Sequence, residues 1–147
     1  MEAGSVPSVL FVCVHNSGRS QMARAFFDRI SDGRIVAQSA GTVPDQEINA
    51  DVVRAMAEVG VDISGKRPRM LTQEMVTGAL RVITMGCGVE GDCPAVFVET
   101  VDWGIDDPKG RSTDDIRRVR DEIEARVASL WQELVGATTA SGVDRKE

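Results

Sequence analysis

The sequence predicts an α/β protein built on a parallel sheet with helices on both of its faces. Short apolar runs typical of buried strands alternate along the chain with longer stretches whose apolar residues recur at helical spacing. Parallel strands need a long crossover between them, and the helical stretches supply it. Polar and thiol residues follow three of the predicted strands. In such sheets, ligands bind beyond the carboxyl ends of the strands.

The first predicted strand and helix come from the pattern of residues 8–30. Residues 8–12 form a strand, because they contain a continuous apolar run of the kind found in buried parallel strands. Residues 19–30 form a helix, since apolar residues recur there at a four-residue step and share one face: Met22, Phe26 and Ile30. A second strand is expected at residues 35–39, followed by a loop at residues 40–44.

The same alternation continues through the middle of the chain. A helix is expected at residues 49–59, ending at Gly60, and a short helix at residues 71–75. Two further strands are expected at residues 80–85 and 95–101. Three residues of the 49–59 helix face inward: Val52, Met56 and Val59.

The last helix has the clearest pattern. Ser112 or Thr113 caps it, and Asp114 and Asp115 favour the positive end of its dipole. We expect Trp131 to pack in the core beside the apolar stripe of this helix. The stripe consists of Ile116, Val119, Ile123, Val127, Leu130 and Leu134.

Bulk properties limit the class of protein. At 147 residues the chain is long enough for one domain with a hydrophobic core. The regular pattern covers about residues 8–135, and we expect both termini, residues 1–6 and 137–147, to be frayed. With no membrane-length apolar run and no leader before Pro7, a cytoplasmic protein is expected. A net charge of −6 argues against a nucleic-acid partner, which would need a basic surface.

One thiol directly follows the first predicted strand. Cys13 ends the apolar run, and a short loop containing Gly18 leads to Arg19 and Ser20 at the start of the first helix. A thiol that lies beneath backbone N–H groups, at a helix N-terminus and beside a guanidinium has a lowered pKa and becomes a nucleophile. The same amides and Arg19 would hold a tetrahedral oxyanion above the sulfur, with Arg19 binding two oxygens in a bidentate manner.

The loop after Cys13 is the predicted oxyanion-binding element. Asn16 would stabilise it through its side-chain amide, and Ser20 would steady the thiolate. Ser17 is expected to be a loop residue only, and His15 either tunes the site or is a solvated side chain. The residues expected to bind the oxyanion are Val14, His15, Asn16, Ser17, Gly18, Arg19 and Ser20.

The other two cysteines, Cys87 and Cys93, lie six positions apart in a glycine-rich segment. They could take over a disulfide from Cys13 in sequence, or they could be incidental loop thiols. A closed zinc site would need all three cysteines and His15, which already belongs to the loop after Cys13. We therefore expect no metal and no other cofactor.

Two acids precede a proline near residue 107. A residue before proline is held extended, which suits a carboxylate that projects over a site and acts as a general acid. Asp107 directly precedes Pro108, and Asp106 is the alternative acid. Ordinary turn chemistry ahead of a helix would explain the same residues.

Together these motifs resemble arsenate reductases built on the low-molecular-weight tyrosine phosphatase fold. Residues 13–23 resemble the phosphate loop of that family, and the similarity covers about residues 8–135. The resemblance implies a three-layer αβα sandwich with a four-stranded parallel sheet of flavodoxin-like topology, a monomer, and reduction of arsenate to arsenite. Further landmarks occur in the same order: Ser39-Ala40-Gly41-Thr42, Gly60-Val61-Asp62-Ile63-Ser64, Val82-Ile83-Thr84-Met85 and Asp106-Asp107-Pro108.

The resemblance also implies a role for each thiol. Cys13 attacks arsenate held by the loop amides and Arg19, while Asp107 protonates the departing oxygen. Cys87 then attacks Cys13, which releases arsenite and leaves a Cys13–Cys87 disulfide. Cys93 attacks Cys87, and thioredoxin reduces the resulting Cys87–Cys93 disulfide. Phosphate and sulfate are the expected competing oxyanions.

Other functions remain as alternatives. A tyrosine phosphatase of this family would carry aromatic residues after the Asp-Pro pair, whereas Lys109-Gly110 stands here and the chain has no tyrosine. Weak phosphatase activity is still expected, because the loop and the acid serve both kinds of ester. Relatives that use mycothiol tend to lack the relay pair, so Cys87 and Cys93 favour thioredoxin. A non-catalytic anion-binding module is the alternative from another class.

Overall fold

The computed structural model describes residues 7–85, 100–108 and 110–142 of the chain. Strands and helices alternate through most of it. They are β1 (Ser8–Cys13), α1 (Arg19–Ser31), β2 (Val36–Gly41), α2 (Ala50–Ala57), α3 (Gln73–Thr77), β3 (Ala79–Thr84), β4 (Thr100–Asp102) and α4 (Thr113–Gly142).

The four strands form one parallel sheet in the order β2-β1-β3-β4. Cys13 at the end of β1 is in register with Gly41 at the end of β2. On the other side, Val12 pairs with Thr84, which in turn pairs with Asp102. The carboxyl ends of all four strands therefore lie along one edge, and the predicted fold class is confirmed.

Alternate residues of β1 point to opposite faces of the sheet, and each face has its own core. Val9 and Phe11 pack on one face with α1, α2 and α4, where the Phe11 ring centroid lies 5.9 Å from that of Phe27. Leu10 and Val12 pack on the other face with Val76 of α3. Two-sided burial explains why β1 is apolar throughout instead of alternating.

Trp131 of α4 packs edge-on against Phe27, with ring centroids 5.8 Å apart, so its predicted core position is confirmed. Met22 and Phe26 on the predicted face of α1 are buried, whereas Ile30 at the end of that face is 37% exposed. A four-residue step overshoots a full helical turn by about 40°, so two such steps rotate a side chain out of the core.

Several element boundaries differ from those predicted. β2 continues to Gly41, and α3 begins at Gln73 because the Thr72 side chain accepts a hydrogen bond from Met75 N. β4 is described from Thr100, and residues 95–99 of the predicted strand lie outside the described residues. α4 extends through part of the segment expected to fray, up to Gly142. Adding a residue to an existing helix gains a hydrogen bond without a new nucleation cost.

An ion-pair cluster joins α2 to α4. Arg117 donates two hydrogen bonds to Glu58, at 2.9 and 2.8 Å. Arg120 donates to Glu58 at 2.9 Å and to the Ala55 carbonyl at 2.8 Å. Hydrogen bonds from Arg117 and then Arg120 lower the pKa of Glu58 to about 2. This cluster ties α2 to the core helix, and the opposite end of α2 contacts the loop after Cys13, since Asn49 N donates to the Ser17 carbonyl.

No helix in the described part of the chain is both long and apolar enough to cross a membrane.

Candidate active site

The loop between β1 and α1 presents unpaired backbone donors at its helical end. Gly18 is the N-cap residue of α1 and has no side chain that could make a capping hydrogen bond. The first turn of the helix contains no acidic residue. The first N–H groups of a helix have no partner within it, so these amides are available to an anion.

Cys13 lies beneath that turn and is only 2% exposed. Its Sγ is 2.9 Å from Ser20 Oγ. Asn16 Nδ2 donates to the same Oγ at 2.7 Å, which leaves the hydroxyl proton of Ser20 able to point at the sulfur. Ser20 can therefore donate a hydrogen bond to Cys13 Sγ.

Asn16 holds the loop in shape from the inside. It is fully buried and has a positive φ of 51°, a conformation that asparagine tolerates better than most residues. Its Oδ1 accepts from Arg69 N at 2.8 Å and from Gln21 Nε2 at 3.2 Å. Gly41 packs behind it, where a Cβ would lie 2.6 Å from the Val14 carbonyl oxygen. Any side chain at Gly41 would displace the loop.

Arg19 is anchored by one guanidinium nitrogen and keeps the others for a ligand. Nη1 donates to the carbonyls of Met85 and Ile105, the latter at 3.0 Å, and the residue is 8% exposed. Among the described residues, the contact of Nη2 is an ion pair with Asp107 Oδ2 at 3.8 Å. Nε and Nη2 are the edge of the guanidinium that binds two oxygens of a tetrahedral anion side by side.

The loop after β4 brings Asp107 to this site. A Cβ on Gly18 would lie 3.2 Å from Pro108 Cγ, so the proline packs directly on the loop after Cys13. Asp107, the residue before it, is ion-paired with Arg19 and its side chain is 48% exposed. Asp106 is exposed and makes no ion pair with Arg19. Geometry thus favours Asp107 over Asp106 as the acid near the site.

Asp45 contacts the loop after Cys13 but was not among the predicted site residues. Ser17 Oγ donates to Asp45 Oδ2 at 2.8 Å, and Asp45 N donates to the His15 carbonyl at 3.0 Å. His15 Nδ1 donates to the Val43 carbonyl at 3.0 Å and lies 3.6 Å from Asp45 Oδ1. Ser17 is therefore more than the simple loop residue expected. Asp45 follows a proline in a partly buried loop, and no spacing in the sequence indicated its contact with a loop 28 residues earlier.

The two remaining thiols predicted for the site, Cys87 and Cys93, lie outside the described residues. Cys13 is a free cysteine. Within the part of the chain that the structure describes, no three His, Cys, Asp or Glu side chains come together in a way that could hold a metal ion.

We expect Asp45→Ala to bind inorganic phosphate about tenfold more weakly than Asp45→Asn, a difference of about 1.4 kcal/mol, the size of a hydrogen bond to a charged group. Both variants remove the same negative charge, so their difference isolates the hydrogen bonds that hold residues 15–17. Isothermal titration calorimetry measures the two affinities. Asp51→Ala, in an exposed pair with Arg54, is the control. Equal affinities for Asp45→Ala and Asp45→Asn would contradict a positioning role.

Four features meet at the edge of this parallel sheet: a thiol at the end of β1, a loop of backbone amides, a buried arginine and an aspartate before a proline. This combination defines a cysteine-dependent, oxyanion-binding phosphatase fold. The chain belongs to the low molecular weight phosphotyrosine protein phosphatase family, whose model matches residues 8–139.

Similar proteins include several named as arsenate reductases. A Halobacterium salinarum protein, provisionally named an arsenate reductase, is 38% identical over 139 residues, which are 91% of this chain and 97% of that protein. The arsenate reductase of Brevibacillus brevis is 36% identical and covers 82% of this chain and 90% of its own length. Among solved structures, the thioredoxin-dependent arsenate reductase of Corynebacterium glutamicum matches with a TM-score of 0.78 and 36% identity. That match covers 92% of this chain and 65% of the other.

Proposed function

We propose that this protein is an arsenate reductase whose oxidised form is reduced by thioredoxin. The observation that carries the proposal is the arrangement around Cys13: its Sγ lies 2.9 Å from Ser20 Oγ, under an uncapped helix start and beside the buried Arg19. Two similar proteins named as arsenate reductases, one of them thioredoxin-dependent, support the choice of substrate and reductant.

The first step is nucleophilic attack. Ser20 and the N-terminal amides of α1 stabilise the Cys13 thiolate, and Arg19 holds two oxygens of arsenate through Nε and Nη2. The sulfur forms a bond to arsenic(V), and an arsenate oxygen leaves as water after Asp107 gives it a proton. The ion pair of Asp107 with Arg19, which would bind the same anion, supports this role.

The second step reduces arsenic. The Cys87 thiolate attacks Cys13 Sγ, an S–S bond forms, and the electron pair of the S–As bond stays on arsenic. Arsenic(V) becomes arsenic(III), and arsenite leaves. Cys93 then attacks Cys87, which frees Cys13 as a thiolate and leaves a Cys87–Cys93 disulfide. The dithiol of thioredoxin takes up this disulfide, so two electrons enter for each arsenate reduced.

The sequence supports this relay over hydrolysis as the main activity. A phosphatase needs one thiol, and this chain has two more in the segment after β3. Lys109-Gly110 and the lack of any tyrosine give an aryl substrate no aromatic partner after Pro108. The same loop, Arg19 and Asp107 would still hydrolyse an aryl phosphate weakly. We further propose that the protein is cytoplasmic, since thioredoxin keeps that compartment reducing. A monomer is what the family resemblance implies.

The test is a coupled assay with arsenate, thioredoxin, thioredoxin reductase and NADPH. We expect one arsenite formed for each NADPH oxidised. Phosphate binding without NADPH oxidation would favour an anion-binding module instead. Arsenate reduction that requires mycothiol and does not respond to thioredoxin would replace the proposed reductant with the alternative one.

A further inference from the structure

Most cations that the structure describes are ion-paired, but the three cations of one short segment are not. Arginines in α1, α2 and α4 lie within 4 Å of a carboxylate, for example Arg24 with Asp28 at 2.8 Å. Lys66, Arg67 and Arg69 are exposed, and no carboxylate of the described residues pairs with them. In a chain of net charge −6, three unpaired cations within four positions form a local positive surface.

This segment is fastened to the active site through its backbone. The Arg67 carbonyl accepts from Gln21 Nε2 at 3.2 Å, and Arg69 N donates to Asn16 Oδ1 at 2.8 Å. The Arg69 carbonyl accepts from Gly41 N at 2.8 Å. Because the main chain makes these contacts, the cationic side chains stay at the surface in a fixed place beside the loop after Cys13.

Two exposed apolar side chains lie next to these cations. Met70 forms an isolated parallel β-bridge with Gly41, and Gly41 is in register with Cys13. The backbone of Met70 therefore lies two strand spacings from that of Cys13, or about 10 Å at 4.8 Å per strand. Met70 is 57% exposed, and Val43, two residues after Gly41, is 58% exposed. We call the surface of Val43, Lys66, Arg67, Arg69 and Met70 the basic rim.

The basic rim fits a protein better than a small anion. Lys66 and Arg67 line one groove against α2, of about 590 Å³, and together with Arg69 they line another against α1 and β2, of about 460 Å³. The charges therefore spread over both sides of the segment and do not converge on one point. Arginine and methionine are enriched in protein–protein interfaces, and complementary charge speeds association.

We propose that the basic rim docks an acidic protein that must reach the edge of the sheet where β1 ends at Cys13 and where β3 leads into the segment containing Cys87 and Cys93. Resting on the proposed function, this partner is the dithiol protein that reduces the enzyme, thioredoxin. The remaining surface of an acidic chain repels an acidic partner, so the rim also orients its approach. The competing outcome of the test below is that the basic rim attracts only arsenate and does not bind thioredoxin.

Charge reversal of the rim is the test. The variant carries Lys66→Glu and Arg67→Glu, and its control carries Arg118→Glu and Arg126→Glu on exposed positions of α4. Both change the net charge equally. We expect the KM for thioredoxin to rise about tenfold in the rim variant and less than about twofold in the control, within the range of electrostatic effects on association. The KM for thioredoxin should also depend less on salt concentration in the rim variant than in wild type. Arsenate reduction driven by dithiothreitol should stay within about twofold of wild type.

Each other outcome decides a different question. An equal KM for thioredoxin in the rim variant and the control would overturn the docking proposal. If the rim variant unfolds at the same temperature as wild type but loses as much activity with dithiothreitol as with thioredoxin, the rim attracts arsenate. That result would also overturn the docking proposal. Absence of arsenate reduction by the wild-type enzyme with either reductant would instead contradict the proposed function.

Discussion

Replacing Cys87 by serine is expected to abolish arsenate reduction and to leave the hydrolysis of an aryl phosphate intact. A serine hydroxyl cannot attack Cys13 Sγ to form a disulfide, so arsenic stays bound to Cys13 and no electron pair reaches it. In the proposed mechanism, hydrolysis of a phosphate ester would need only Cys13, Arg19 and Asp107, because water releases the phosphoryl group from the sulfur. NADPH oxidation with thioredoxin measures the first activity, and release of nitrophenol from p-nitrophenyl phosphate measures the second.

Cys93→Ser is the matched control for this prediction. It should form one arsenite per enzyme and then stop with a Cys13–Cys87 disulfide, which mass spectrometry after a single turnover identifies. Wild type under the same conditions should carry a Cys87–Cys93 disulfide with Cys13 reduced. Equal loss of reduction and hydrolysis in Cys87→Ser would show that Cys87 acts in shaping the site and not as a relay thiol.

Replacing Arg19 by lysine should lower kcat/KM for arsenate reduction and for aryl phosphate hydrolysis by about 10²- to 10³-fold, the range found when one transition-state donor is removed. Arg19 Nη1 is held by the carbonyls of Met85 and Ile105, while Nε and Nη2 remain for two oxygens of the anion. A lysine ammonium is a single point and cannot hold these carbonyls and bind two oxygens at once.

Arg24→Lys, one turn later in α1, is the control for this effect. Arg24 pairs with Asp28 and donates to Gln21 Oε1 at 3.4 Å, and neither contact is to the oxyanion loop itself, so its replacement by lysine should change kcat/KM by less than about twofold. Phosphate affinity measured by calorimetry separates ground-state binding from catalysis. A loss in Arg19→Lys that is no larger than in Arg24→Lys would remove Arg19 from the proposed mechanism.

The fold and the family were accessible from the sequence for local reasons. The apolar run of β1, Cys13, Gly18 and Arg19 are close neighbours in the chain, so one short window contains the strand, the loop and the helix start. The predicted parallel sheet and the resemblance to a phosphatase-fold family are both confirmed. The roles given to Cys87 and Cys93 stay predictions, because these residues lie outside the described part of the chain.

The ends of the helices and strands were harder to predict from the sequence than the helices and strands themselves. Ile30 continues the four-residue step of α1 and still lies 37% exposed, because helical spacing drifts relative to that step over two turns. No apolar periodicity in the sequence predicts the extension of α4 to Gly142. The extension depends on helix propagation from the packed part of α4.

By itself the sequence determined which residue types follow each strand, since periodicity and capping are properties of residues near one another in the chain. Only the tertiary structure decided which of these segments meet. Asp45 holds Ser17, Gly41 packs behind Val14, and the main chain of residues 67–69 fastens to Gln21 and Asn16. Such contacts join residues far apart in the chain, where no local pattern encodes the pairing. Close packing of the sheet edge selects them.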